Sequence, residues 1–151
     1  MNVIDRLRKD LKEAMKDKNE VKKRVLRMLM SAVKNFEVSS GKAVSDEEFD
    51  AIVKKQIKER EEAMQDYKRG GRDDLYEEEK MERDILKEFA KPELSDEEIE
   101  KVVDEKAHEL GVKSKKEFGK LMGAVMKSLK GKASGDRVRK AVEEFLNDEK
   151  R

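Results

Sequence analysis

The chain has no cysteine and a single histidine, His108. A disulfide framework, a thiolate metal site and a histidine cluster are therefore excluded, and no metal or cofactor is expected. Tryptophan is absent and aromatic residues make up only 5%, so few side chains are available as stacking platforms for bases. No apolar run approaches the ~20 residues that cross a bilayer, and residues 1–6 lack the apolar core of a signal peptide. From these absences we expect no membrane partner and a cytoplasmic location. Proline occurs once, as Pro92. It lacks a backbone donor and pushes Lys91 out of helical geometry, so the expected domain boundary falls there.

Charged residues are plentiful at 48%, a level that implies disorder when apolar residues are scattered without period. Here they recur at three- and four-residue steps, and the charges read as the solvated faces of helices. The net charge of +1 conceals segregation: residues 1–42 carry +6, 43–112 carry −11, 113–140 carry +8 and 141–151 carry −2. A basic block of this density inside a nearly neutral chain points to a polyanion partner.

The periodicity predicts an all-α fold, with an N-terminal four-helix domain over residues 1–91 and a C-terminal three-helix domain over 95–148. Helices are expected over 3–16, 20–38, 45–68 and 73–89, the second being the most apolar and closed by Gly41. Ser45-Asp46-Glu47-Glu48 and Ser95-Asp96-Glu97-Glu98 read as capping boxes that start helices, as does Ser114-Lys115-Lys116-Glu117. The last helix follows Gly135 and carries Val138, Ala141, Val142, Phe145 and Leu146.

Catalytic chemistry finds no support. His108 sits within a helix between Ala107 and Glu109, without a nucleophile signature around it. None of the Gly-Lys pairs has the upstream glycine of a phosphate-binding P-loop. Carboxylate pairs such as Glu47 and Asp50 read as a solvated acidic face, because a helical di-iron site also needs a Glu-x-x-His element. Met122 and Met126, at helical spacing beside Leu121 and Val125, read as core.

The least generic stretch is 118–136. Gly119 and Gly123 stand four apart in a helix where each costs ~1 kcal/mol relative to Ala. Their spacing points first to a neighbouring helix packed closely over this face, and second to an approaching sugar-phosphate backbone. The following loop sets Lys130 and Lys132 around Gly131, with Gly135 at the next helix start, where free N–H groups and the helix dipole favour phosphate. Lys120, Lys127, Arg137, Arg139 and Lys140 extend the basic set.

Several motifs here resemble those of the GatB/YqeY family. Gly119-Lys120-Leu121-Met122-Gly123 and Lys130-Gly131-Lys132-Ala133-Ser134-Gly135 look like its C-terminal motif. Arg24-Val25-Leu26-Arg27-Met28-Leu29-Met30-Ser31-Ala32-Val33-Lys34-Asn35 looks like its N-terminal motif, and Gly71-Arg72-Asp73-Asp74-Leu75 is similar to a third. The resemblance implies a helical N-terminal domain joined to a small domain similar to the tail of the B subunit of glutamine-dependent aminoacyl-tRNA amidotransferase. That tail contacts tRNA, whereas amide transfer depends on other parts of the enzyme.

The leading functional expectation is thus a protein without catalytic residues that binds tRNA, or a tRNA-modifying or aminoacylating enzyme. Its RNA contacts would be Lys120, Lys127, Lys130, Gly131, Lys132, Gly135, Arg137, Arg139 and Lys140. One alternative is a protein-interaction adaptor whose basic block balances its acidic one internally. The other is an accessory to the glutamine-dependent amidotransferase.

Overall fold

A computed structural model describes residues 1–148. Among the described residues every regular element is helical: α1 (Val3–Lys16), α2 (Glu20–Ser40), α3 (Asp46–Arg69), α4 (Asp73–Lys87), α5 (Asp96–Leu110), α6 (Phe118–Ser128) and α7 (Gly135–Asp148), with a 3-10 turn over Lys115–Glu117. The chain forms two compact units, Met1–Ala90 and Lys91–Arg151.

In the first unit, α1 and α2 form a hairpin that short polar side chains begin and end. The Asn2 side chain accepts from the Asp5 N–H at 2.9 Å, and Asn19 accepts from the Lys22 N–H at 3.1 Å. Each satisfies a donor that a helix start leaves without an intrahelical partner. Lys18, with φ 55°, and Gly41, with φ 73°, supply the left-handed residues that close α1 and α2. Helix α2 runs two residues beyond Val38, because both serines stay helical until Gly41. Conversely, α4 stops at Lys87 and leaves Phe89 in the following turn.

The core of this unit joins Ile4 and Leu7 of α1 to Val25, Leu26, Leu29 and Val33 of α2, Phe49 and Val53 of α3, and Leu86 of α4. These residues recur at the expected three- and four-residue steps, so each helix turns one stripe inward. The capping box at Ser45 and Glu48 forms in both directions. Asp50 is not part of a solvated acidic face. It is buried and lies 2.8 Å from Lys54, one turn on, so Lys54 compensates its charge.

The second unit packs α5, α6 and α7 around Ile99, Val103, Leu121, Val125, Leu129, Val138, Val142 and Leu146. Ser95 and Glu98 form the capping box that opens α5. The same pattern at Ser114 and Glu117 does not form. Ser114 instead accepts the Glu117 N–H through its backbone carbonyl at 3.1 Å, as in a 3-10 turn, and α6 starts at Phe118.

Candidate functional site

The basic residues singled out by sequence lie on α6, α7 and the loop between them. Helix α6 is amphipathic because Leu121 and Val125 are buried while Gly119, Lys120, Gly123 and Lys127 are exposed. A Cβ placed at Gly119 or Gly123 would meet nothing within 4 Å. The expectation of a helix packed closely over these glycines is therefore overturned: their face is open within the unit.

The loop after α6 is pinned at three points. The Lys132 N–H donates to the Leu129 carbonyl at 2.8 Å, and the Leu94 N–H donates to the Lys132 carbonyl at the same distance. Ala133 is buried, while Gly131 takes φ 77° to complete the turn. This anchoring leaves the Lys130 and Lys132 side chains exposed on a fixed backbone. Ser134 caps α7, since its hydroxyl accepts from the Arg137 N–H at 3.3 Å. One amide counted as a phosphate donor is thus already engaged. At Gly135 an added Cβ would make only ordinary contact, 3.7 Å from Met126 Cε.

The cations divide into two groups. Arg137 turns toward the segment before α5, where its guanidinium donates to Glu93 at 2.9 Å, to Asp96 at 2.7 Å and to the Leu94 carbonyl at 2.8 Å. The hydrogen bond to Asp96 first, and then that to Glu93, raises the Arg137 pKa, and the same Arg137 hydrogen bond holds the Asp96 carboxyl below its ordinary value. Arg139 lies 3.4 Å from Asp136, one turn back on α7. Lys120, Lys127, Lys130 and Lys132 are exposed, and their side chains enter no ion pair or hydrogen bond among the described residues; Lys140 is exposed as well, and its charge acts on Asp96. His108 is exposed in the last turn of α5, and no group of three or more His, Asp or Glu side chains suited to a metal occurs among the described residues.

Sequence reasoning missed a charge cluster in the first unit. Arg24 and Arg60 reach the same Glu82 carboxylate at 2.8 and 2.9 Å, and Arg60 also lies 3.5 Å from Glu79. Arg60 and Glu82 are about 14% and 13% exposed. Nothing local marks them, because Arg60 and Glu82 sit in runs of mixed charge, Arg24 sits in a basic run, and the three come from three helices.

The match to the family described as Yqey-like protein extends over residues 4–146. Among curated proteins the chain is similar to fungal proteins named "Altered inheritance of mitochondria protein 41, mitochondrial". The one from Pyrenophora tritici-repentis is 29% identical over 95% of this chain and 81% of its own length. Its counterpart from Clavispora lusitaniae is 35% identical over 64% of this chain, and the match spans only 58% of that protein. That from Eremothecium gossypii is 32% identical over 72% of this chain and 61% of its own length. The cytoplasmic location expected from sequence is contradicted by these relatives, which are named as mitochondrial. The absence of cysteine behind that expectation does not separate cytoplasm from mitochondrion.

Proposed function

The chain belongs to the Yqey-like protein family, and from that premise we propose that it binds tRNA, free or carried by a tRNA-acting enzyme, through α6 and the α6–α7 loop. One observation carries the reading: four exposed lysines without ion-pair partners among the described residues, Lys120, Lys127, Lys130 and Lys132, with Lys140 exposed nearby, in and around an open glycine-bearing helix face. Exposed lysines of this kind meet phosphate oxygens and release counterions. Gly119 and Gly123 present helix backbone without side chains, which suits close approach of a sugar-phosphate chain. Arg137 holds its own unit together and is outside this RNA-contacting set.

Phe118 and Phe145 pack against the core, so recognition rests on backbone shape and charge more than on base identity. The test is tRNA affinity across a salt series. With about four phosphates neutralised, the log–log slope is roughly −3 to −4. Replacing Lys130 and Lys132 together by Glu is expected to lower affinity while leaving the far-UV spectrum unchanged. Binding indifferent to salt, or unaltered in the double variant, would remove the reading and favour a protein-interaction adaptor.

A further inference from the structure

The first unit carries an open groove of about 630 Å³ along α2, whose lining includes Arg24, Arg27, Met28, Ser31 and Asn35 together with Gln56 of α3. Arg27, Ser31 and Asn35 recur every four residues and are exposed, and their side chains have no partner among the described residues. Gln56 lines the same groove, and its Oε1 is buried beneath the surface and accepts no hydrogen bond. A buried carbonyl oxygen in this state is a cost that a bound N–H would relieve.

The charges around the groove restrict what fits. Arg24 is engaged by Glu82 at 2.8 Å, and Glu20 by Lys23 at 3.0 Å. Arg27 is left as the lining's uncompensated cation among the described residues. A polyanion needs several such cations along its path, whereas one carboxylate needs one guanidinium. Spacing narrows the choice further. Four residues of helix advance about 6 Å, and two residues of extended chain advance about 6.6 Å. Main-chain groups on one side of an extended peptide therefore recur at nearly the step of Arg27, Ser31 and Asn35.

We infer that this groove binds an extended peptide of a partner protein, which presents one carboxylate to Arg27 and a main-chain N–H to the Gln56 side chain, whose amide turns so that its oxygen faces the peptide. Ser31 and Asn35 meet main-chain groups along the same segment. The half-buried Met28 supplies apolar surface, and its sulfur is held in place by a 3.5 Å contact from the Arg60 guanidinium.

The test pans a displayed library of random heptapeptides against the full chain and remeasures the selected peptides by calorimetry. Enriched peptides are expected to share an acidic residue and to lose about tenfold or more in affinity toward Arg27→Glu. Gln56→Leu is expected to weaken the same peptides, and Ser31→Tyr, which fills the groove from an exposed position, to abolish their binding. The Lys130→Glu, Lys132→Glu double variant is expected to bind them normally, which separates this site from the RNA face. Absence of enrichment, or binding indifferent to Arg27→Glu and Ser31→Tyr, overturns the inference. So does displacement of the peptides by tRNA in an Arg27-dependent manner, or a dimer that Arg27→Glu converts to monomer, which would assign the groove to RNA or to a second copy.

Discussion

The Arg137 Nη2 lies 2.7 Å from the Asp96 Oδ1, tying the first turn of α7 to the first turn of α5 across 41 residues of chain. Replacing Arg137 by Ala removes this bond together with those to Glu93 and the Leu94 carbonyl. The expected loss is on the order of 1 kcal/mol, chiefly from the Leu94 carbonyl, because the two carboxylates are exposed and screened by solvent. A urea titration checks it. The same variant should change tRNA affinity less than the Lys130→Glu, Lys132→Glu double variant does.

The Asp96 carboxyl also predicts a pH effect. Its folded-state pKa is depressed, so its contribution to stability is present above the ordinary carboxylate range and is lost as pH falls through the lowered value. Asp96→Asn is expected to flatten that part of the acid limb in a plot of stability against pH. An unaltered acid limb would show that the contact carries no linkage.

Two serines with the same local signature should respond differently to truncation. Ser95 accepts from the Glu98 N–H at 3.1 Å and completes a capping box, whereas Ser114 makes no side-chain cap bond. Ser95→Ala is expected to cost about 1 kcal/mol, and Ser114→Ala to stay within about 0.5 kcal/mol. Thermal melts of the pair decide it, and equal losses would contradict the 3-10 start of α6.

That contrast shows how far local reasoning extends. The helices were legible because their buried residues recur at helical steps and because Ser45, Ser95 and Gly41 mark ends by local chemistry. Ser114 carries the same letters, yet a 3-10 turn follows it and α6 starts only at Phe118, which packs against the core of the second unit, a contact the local sequence does not carry. In the candidate site, the lysines were legible as a basic block, but the withdrawal of Arg137 was not, because Glu93 and Asp96 lie more than 40 residues away. The groove was invisible for the same reason: Gln56 sits in a polar run, and nothing in that run marks a side-chain oxygen buried without a hydrogen-bond partner.

Glu79 predicts a pH effect of opposite sign. Burial, ahead of other causes, raises its pKa; nearby Arg60 opposes the shift, and Glu82 and Glu78 add to it. The Arg60 Nε–H donates to Glu82 at 2.9 Å, which leaves the buried Glu79 Oε2 an ion-pair contact at 3.5 Å but no hydrogen bond. A raised folded-state pKa contributes stability that is fully present below the unfolded value and is lost as pH rises through the folded one. The stability of the parent chain relative to Glu79→Gln should therefore increase as pH falls through the carboxylate range. Urea titrations of both proteins between about pH 4 and 7 measure that difference, and a decrease toward acid would contradict the burial of this carboxyl.

Gly123 joins the energetics of the fold to its proposed use. It lies inside α6 with nothing within 4 Å of where its Cβ would stand, so no contact within the unit requires glycine there. Gly123→Ala should stabilise the protein by about 1 kcal/mol, through helix propensity and a less flexible unfolded chain. Gly123→Leu should keep most of that gain, since Leu is also a strong helix former, but its side chain would stand out over the open face. If a sugar-phosphate backbone approaches there, Leu lowers tRNA affinity several-fold while Ala changes it little, because one methyl group still permits near contact. Thermal melts and tRNA titrations of both variants separate the two effects. Equal tRNA affinity for the parent and Gly123→Leu would mean that the RNA does not reach this face, and would confine the contact to the α6–α7 loop.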